Sequence, residues 1–445
     1  MPGVSHVRGR GTRPQGKTPG DCCGTVALTG PVSVHPSTPS PGTGTGTDAS
    51  PVPRPAPGTL HRWAMLVAGT LAQASAAIMV HGPAFLIPAL HDREGYSLAR
   101  AGLVAAAPTV GVMLALVGWG WSADRYGERR ALVAGLAATT LLGVAAATTH
   151  QDWLLPATLL LAGAAAASTN VASGRIVVGW FPPPRRGLAM GIRQVAQPVG
   201  VGVAAISIAV VAGDQGVRAA LWVPTVACGL ALVLVVAVVV DPPRPDRRHG
   251  PAATNPYRGD RFLARVHGVS VLLVVPQFVV WTFALVWLVQ DRHWAPAAAG
   301  ALVAVAQVAG ALGRIGVGHL SDVVGNRMGP LRWVAVAAAV VMAALGMSAE
   351  AGWPVAVTLL VVATVLTVAD NGLAFTAVAE RAGPHWSGRA LGVQNTAQFL
   401  AASLVPPVAG LAISGLGYAA AFALAALFPV VAAPLVPVRA ERELV

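Results

Sequence analysis

Runs of about 18 or more apolar residues recur along this chain, and each is long enough to cross a membrane. Charged residues make up only 11% of the chain, against about 25% in soluble domains. We therefore predict an all-α membrane protein with twelve transmembrane helices, which excludes a soluble enzyme, a DNA-binding module and a disordered scaffold. The predicted helices are 63–90, 98–119, 131–149, 154–178, 187–211, 219–240, 267–290, 297–317, 331–348, 353–378, 389–413 and 417–438.

These helices divide the chain into five regions. Residues 1–60 are rich in Pro, Gly, Ser and Thr, and such a segment buries too little apolar surface to offset its ordering entropy, so we expect a disordered tail. Two six-helix bundles follow at 61–240 and 267–438, joined by a central loop at 241–266, and a short tail covers 439–445. Residues 11–18 match a phosphate-loop pattern, but no predicted strand precedes them, so we interpret the match as a coincidence.

The formal net charge is +12. If the N-terminus is cytoplasmic, the predicted inner loops hold most of the arginines that lie between spans. This asymmetry predicts a multi-pass protein of the cell membrane with both termini in the cytoplasm. The excess of basic over acidic residues then indicates positively charged cytoplasmic loops rather than nucleic-acid binding. The cysteines at 22, 23 and 228 suit neither a disulfide framework nor a metal site, and we expect no metal, no cofactor and a monomer.

The two halves of the chain share a motif, G-x-x-[AS]-D-x-x-G-x-R, which follows the second and the eighth predicted helix. A second pair of matches opens the fifth helix at Gly187 and the eleventh at Gly388. Both pairs are separated by about 200 positions, so we predict two bundles that repeat in parallel about an axis along the membrane normal. The motif residues are Gly120, Asp124, Arg125, Gly127 and Arg129 in the first copy and Gly318, Asp322, Gly325 and Arg327 in the second.

The aspartate of this motif has a physical interpretation. A carboxylate at the end of one helix can face the N-terminus of another, where a partial positive charge of about half a unit favours it. The arginines can pair with that carboxylate or with lipid phosphates. The alternative is a solvated loop that only sets topology, and the presence of two copies at the repeat spacing favours the first interpretation.

The twelve helices, the central loop and the two motif copies resemble the major facilitator superfamily (MFS) over about residues 60–440. The resemblance implies two pseudo-symmetric six-helix bundles that rock about a central site. It also implies that Asp124 meets the start of the eleventh helix near Gly388, that Asp322 meets the start of the fifth near Gly187, and that these contacts form a conformational gate. Ser122 departs from the family pattern, which usually has leucine there.

Subfamily features are weaker. The segment that begins at Gly179 resembles members that move small organic or inorganic anions. The signature of drug–proton antiporters on the fifth helix is incomplete, because Ala204 replaces one of its glycines and its Gly-Pro pair is missing.

Polar residues inside the spans are costly and are therefore functional candidates. Arg193 could clamp an anion, or it could instead snorkel to the headgroups or pair with Asp322. Asp370 could carry a coupling proton, or it could form a structural ion pair with Arg314. His81, which precedes a Gly-Pro pair, is a second coupling candidate, although a satisfied buried histidine is the alternative. Further substrate-binding candidates are Gln197, Asn170, Gln277, Gln394 and Gln398.

Together these features predict a proton-coupled secondary active transporter of a small polar solute, which could be an anion. One alternative is a proton-coupled exporter of hydrophobic compounds. Another is a transport-inactive membrane sensor or partner-binding protein. We expect no enzyme activity, since the chain has no H-E-x-x-H and no G-x-S-x-G motif beside its spans.

Overall fold

A computed structural model describes residues 57–243 and 255–442. Within these two ranges the chain is helical and forms no strand, and its long helices agree with the predicted spans. They are α1 (Thr59–Asp92), α2 (Leu98–Tyr126), α3 (Glu128–Thr148), α4 (Leu154–Trp180), α5 (Pro183–Gln215), α6 (Val217–Val238), α7 (Phe262–Gln290), α8 (Pro296–Val324), α9 (Met328–Glu350), α10 (Val355–Ala382), α11 (387–416) and α12 (418–435). A short α13 (Val438–Arg442) follows.

The last two spans form one nearly continuous apolar run of 55 residues, Ser387–Glu441. Gly417 divides it, because its backbone has φ 85° and ψ 170°, which is outside the helical region. Only glycine adopts such a positive φ without strain. The run therefore crosses the membrane twice, and the described part of the chain has the twelve spans that the sequence predicts.

Apolar side chains cover the outer surface of the bundle. Leu103, Leu114, Leu141 and Leu411 are each at least 70% exposed in the isolated chain. A water-soluble protein rarely exposes a contiguous surface of this kind. In a membrane these leucines would face lipid, which agrees with the length of each span.

Several helices deviate from the predicted bounds, most of all α2 and α8 at their C-terminal ends. The motif was predicted to follow helices that end at 119 and 317, but α2 continues to Tyr126 and α8 to Val324. The predicted ends are wrong because nothing in the motif breaks a helix before its second glycine. Gly127 (φ 111°) and Gly325 (φ 73°) then make the turns. Residues 438–442 of the predicted tail are helical as well, and most of the predicted N-terminal tail lies outside the described residues.

Helix α5 consists of two pieces, Pro183–Gln194 and Ala196–Gln215. The break has a local cause. Pro198 has no N–H for the carbonyl of Gln194, and its ring would clash with that carbonyl in a regular helix. The first piece packs on α8 and α10 of the other half, whereas the second packs on α1 and α6 of its own half. The break thus marks the level at which α5 leaves the opposite bundle.

The two halves of the molecule meet mainly through two helix pairs, α2 with α11 and α5 with α8. We call the end of the bundle that carries the two motif copies the arginine-rich end, and the opposite end the far end. The motif aspartates lie where these helix pairs meet, so the repeat places two equivalent contacts at the arginine-rich end.

Candidate functional site

The first motif aspartate lies against the start of α11. The Asp124 carboxylate accepts hydrogen bonds from the backbone N–H of Gly388 (2.9 Å) and of Arg389 (3.0 Å). The Arg389 side chain donates a third, through Nε at 3.0 Å. A helix N-terminus leaves its first N–H groups without intrahelical partners, so the carboxylate satisfies two of them. This is the contact that the family resemblance implies.

The second motif aspartate repeats the arrangement in the other helix pair. Asp322 accepts hydrogen bonds from the backbone N–H of Gly187 (2.9 Å) and of Leu188 (2.8 Å) at the start of α5. Arg327 of the same motif donates to Asp322 and also to the carbonyl of Pro183, at 2.7 Å, in the first half. The two halves are therefore joined at two symmetry-related points.

Glycines bring these helices into backbone contact. A Cβ atom built on Gly388 would lie 2.4 Å from the carbonyl oxygen of Gly120, and one built on Gly187 would lie 2.2 Å from that of Gly318. Real Cβ contacts are essentially never this short. Any larger side chain at Gly388 would push α2 and α11 apart, and one at Gly187 would push α5 and α8 apart. The glycines of the motif thus allow the aspartates to reach the opposite helix.

The arginines that bind Asp124 are not those of its own motif. Arg175 of α4 donates to Asp124 and also contacts Glu128 at 2.8 Å. Arg125 and Arg129 are exposed, and Arg129 donates instead to the carbonyl of Val236. The motif does not reveal the role of Arg175, because this pairing depends on how α4 packs against α2.

A small polar cavity lies further along the bundle, between the two halves. Its volume is about 50 Å³, which is enough for a few water molecules. Carboxamides dominate its lining, and aromatic rings complete it. The lining residues are Gln73, Asn170, Gln194, Gln197, Val274, Gln277, Phe278, Arg314, Asn371, Phe375, Asn395, Gln398, Phe399 and Ala402.

The carboxamides follow the internal repeat. Gln73 Nε2 donates to Asn170 Oδ1 at 3.3 Å, and in the second half Asn371 Nδ2 donates to Gln277 Oε1 at 3.1 Å. Gln398 extends the second pair by donating to Asn371 Oδ1 at 3.0 Å. Four of the predicted substrate-binding candidates, Asn170, Gln197, Gln277 and Gln398, therefore lie together at the cavity.

Two buried arginines carry the positive charge of this region. Arg193 is 1% exposed and donates to Ser173 Oγ (3.0 Å), to Gln194 Oε1 (2.8 Å) and to the carbonyl of Asn170. Arg314 donates to the carbonyls of Gln194 (2.7 Å) and Val368 (3.3 Å). All of these acceptors are neutral. The alternative in which Arg193 pairs with Asp322 is wrong, because that carboxylate is bound by α5 and Arg327.

Asp370 lies near Arg314 but does not bind it directly. Among the described residues, neither of its carboxylate oxygens has a hydrogen-bond partner, although Asp370 is 1% exposed. Arg314 is the charged group that acts on it electrostatically, and its guanidinium binds the carbonyl of Val368, two residues earlier in α10. The alternative of a direct ion pair between Asp370 and Arg314 is therefore wrong for this conformation.

Four candidates lie outside the lining of the cavity: Arg193 and Asp370, described above, and Gln394 and His81. Gln394 is fully buried and bonds His267 and Ser270 of α7, so the structure does not place it among the cavity residues. The prediction for Gln394 followed from its repeat position, which does not fix the rotation of the side chain. His81 ends the α-helical part of α1, and the 3-10 turn Gly82–Leu86 follows. It lines a small neighbouring cavity together with Gln73, Asn170 and Gln197.

Comparison with known proteins agrees with the fold. The sequence matches the family model described as Major Facilitator Superfamily over residues 66–406 and 266–443. Two relatives in Mycobacterium tuberculosis, from strains H37Rv and CDC 1551, are named uncharacterized MFS-type transporters. Each is 45% identical over 380 residues, which cover 85% of this chain and 85% of the relative.

Solved structures show the same fold at low sequence identity. The proton:xylose symporter XylE has a TM-score of 0.67 at 15% identity, with 84% of this chain and 94% of that chain covered. The E. coli fucose:proton symporter FucP has a TM-score of 0.67 at 14% identity, with 84% and 98% covered. The human organic anion transporter MFSD10 has a TM-score of 0.65 at 16% identity, with 85% of this chain and 100% of that chain covered.

Two six-helix halves that enclose a polar cavity and meet at glycine-lined helix pairs define a twelve-helix membrane transporter. The family match and the two relatives identify the transporter family. The chain belongs to the Major Facilitator Superfamily and is an MFS transporter.

Proposed function

We propose that this protein moves a small anionic solute across the cell membrane by alternating access, with protons as the coupling ion. The observation that carries the proposal is a pair of buried arginines whose hydrogen-bond acceptors are all neutral: Arg314, in the cavity lining, and Arg193, outside it. The gate formed by the motif residues would be cytoplasmic, with both chain termini on that side, as the arginine asymmetry predicts.

Charge favours an anion over a neutral or cationic solute. An uncompensated guanidinium in a protein interior costs several kcal/mol. Arg314 has one nearby carboxyl group, Asp370, which does not bind it directly, and Arg193 donates to neutral acceptors. An anion in the cavity would offset part of this cost, and it would find Arg314 in the lining. Carboxamides around it would supply further donors without adding charge.

The size of the cavity favours a small solute over a hydrophobic compound. Pockets for drug-sized ligands measure about 300–1,000 Å³, whereas this cavity measures about 50 Å³. Nine of its fourteen lining residues are also polar, and Phe278, Phe375 and Phe399 form the aromatic part. Both features weigh against the alternative of an exporter for hydrophobic compounds.

Alternating access follows from the two interdomain contacts. Asp124 and Asp322 hold the arginine-rich end closed through backbone N–H groups of the opposite half. Opening that end requires both carboxylates to leave their helix termini. The arginines that bind the two carboxylates differ, but the interaction of each carboxylate with its helix terminus would be worth roughly 0.3–2 kcal/mol, which is weak enough to be broken in every transport cycle.

The test uses purified protein in proteoliposomes and in detergent. Small carboxylates, inorganic anions and their neutral isosteres are screened by thermal shift, since a ligand of the folded state raises its stability. Counterflow of the hits is then measured with and without a proton gradient. We expect anions alone to stabilise the protein and to exchange. The anion assignment fails if neutral isosteres bind equally well, and absence of any flux would favour the transport-inactive sensor.

Two variants make the screen specific. Arg314→Gln removes the cationic donor from the cavity lining and should abolish the thermal shift produced by an anion. Gln307→Ala is the matched control, because Gln307 lies on the same helix but lines a separate small cavity beside Trp281. The control should retain both the thermal shift and the counterflow of the wild-type protein.

A further inference from the structure

The carbonyl group of Gln194 lacks its usual partner within α5. In an α-helix it would accept a hydrogen bond from the N–H of residue 198. Residue 198 is proline, which has no N–H. The carbonyl instead accepts a 2.7 Å hydrogen bond from Nη1 of Arg314, which belongs to α8 in the other half of the molecule.

The surrounding contacts hold this bond in place. Gly191 brings α5 close to α8, since a Cβ on Gly191 would lie 2.6 Å from the carbonyl oxygen of Arg314. Arg193 donates to the side chain of the same Gln194, at 2.8 Å. The Nε of Arg314 is fixed to the carbonyl of Val368 in α10. The bond therefore links α5 of one half to α8 and α10 of the other.

The internal repeat does not provide a second copy of this bond. Phe399 stands where the first half has Pro198, and Leu116 of α2 stands where the second half has Arg314. The two motif aspartates, by contrast, are present in both halves. The bond is thus a separate feature of the α5–α8 pair and lies at the level of the cavity.

We infer that Pro198 creates a third tie between the two halves, formed by Arg314 and the freed carbonyl of Gln194, and that occupancy of the cavity controls it. Arg314 lines the cavity, so a bound anion competes for the same guanidinium. Asp370 is a second competitor when it is ionised, because Arg314 acts on it electrostatically and binds α10 two residues away. The role of the competitors rests on the proposed function, whereas the tie itself does not.

Among the described residues, the nearby charges on other helices have partners of their own. Of the helices that pack on α10, α5 contributes Arg193, which is occupied by Ser173, Gln194 and Asn170. Arg175 of α4 and Arg389 of α11 bind Asp124 at the arginine-rich end. His267 of α7 is bound to Gln394.

The experiment measures the tie without any solute. Spin labels are attached at Arg130→Cys and Arg332→Cys, two exposed positions at the arginine-rich end of the two halves, in the full chain with its own cysteines replaced. Pro198→Ala restores an N–H donor that competes with Arg314 for the Gln194 carbonyl. The open population in the distance distribution should rise by about three- to tenfold, as expected for losing part of a charge-assisted hydrogen bond.

Matched variants separate this effect from a general effect of proline. Pro224→Ala is the control, because Pro224 also lies inside a helix of the first half, α6. Its open population should equal that of the wild-type protein. Asp370→Asn removes the competing charge and should lower the open population. Equal distributions for Pro198→Ala and the wild type, or an equal shift in Pro224→Ala, would overturn the inference.

A failure to fold would not leave the inference open. If Pro198→Ala is not monodisperse, Arg314→Gln is measured in the same way and should open the arginine-rich end to a similar extent. A distribution unchanged from the wild type would then overturn the tie. Because no solute is added, a failed search for anions would contradict the proposed function while a shift in Pro198→Ala would still support the tie.

Discussion

The carboxylate of Asp322 accepts a 2.9 Å hydrogen bond from the backbone N–H of Gly187, which belongs to the other half of the molecule. Asp124 and Gly388 make the same contact at the same distance. In both cases the carboxylate lies at the N-terminus of a long helix, where the partial positive charge favours it. The repeat seen in the sequence thus produces two equivalent contacts that can be tested separately.

Removing either charge should weaken the gate. Asp124→Asn keeps the shape of the side chain but removes a charge–helix interaction worth roughly 0.3–2 kcal/mol. We expect normal membrane insertion, a larger open population at the arginine-rich end, and strongly reduced transport in proteoliposomes. Asp214→Asn is the control, because Asp214 is exposed at the end of α5. Full transport by Asp124→Asn would contradict the role of this residue in the gate.

The close approach of the helices predicts a steric effect. In Gly187→Ala the new Cβ would lie 2.2 Å from the carbonyl oxygen of Gly318, so α5 and α8 must separate. We expect an open arginine-rich end and a loss of transport. Gly202→Ala, on the same helix, adds a Cβ with no atom within 4 Å and should behave as the wild type. Cysteine accessibility near the arginine-rich end distinguishes the two, and equal labelling would disprove the steric argument.

The sequence predicts the gate better than it predicts the cavity. Two motif copies at one offset locate Asp124 and Asp322, because the repeat fixes which helix ends meet. The cavity depends on side-chain rotation, which a repeat position leaves open: Gln398 lines it, whereas Gln394, four residues earlier, bonds α7. The pairing of Arg175 with Asp124 also depends on the packing of α4 against α2, so spacing along the chain does not reveal it.

An alkaline titration tests the docking of the central loop. Tyr257 donates to or accepts from His267 Nε2 at 3.1 Å, and burial raises the pKa of Tyr257 from 10.0 to about 12. The folded protein therefore holds the phenol proton more tightly than the unfolded chain does. This contribution to stability is complete below about pH 10 and is lost as the pH rises towards about 12.

Tyr257→Phe should therefore flatten the fall of Tm over that pH interval, and the loss of the hydrogen bond should lower Tm slightly at neutral pH. Tyr126→Phe is the control, because Tyr126 is 48% exposed. It should leave the pH dependence of Tm unchanged. Identical slopes for Tyr257→Phe and the wild type would show that the loop does not hold this tyrosine in its buried position.

The orientation in the membrane is a separate prediction from the arginine asymmetry. A reporter fused after Leu444 should be cytoplasmic. One inserted at Gly216, the turn between α5 and α6, should be external. An odd number of helices lies between these two sites if the twelve-span arrangement is correct. Finding both reporters on one side would therefore overturn that arrangement, and finding them exchanged would invert the orientation.

Coupling to protons is tested at Asp370. The two gate aspartates are bound by backbone N–H groups and arginines, whereas neither oxygen of Asp370 has a partner among the described residues. A carboxyl group that takes no part in the contacts between the helix ends can change its protonation state without breaking the gate. It also acts on Arg314, which lines the cavity, so its charge can influence the binding of an anion. These properties make Asp370 the coupling candidate that the structure supports best.

Asp370→Asn should abolish accumulation of solute against its gradient and leave counterflow intact, because asparagine keeps the shape but cannot carry the proton. Glu350→Gln, at the exposed end of α9, is the control and should accumulate normally. Both transport modes are measured on the same proteoliposomes, so a folding defect would reduce them together. If Asp370→Asn still accumulates solute, the proton must be carried elsewhere. His81 would then be tested in the same way, since it lines the neighbouring cavity with Gln73 and Asn170.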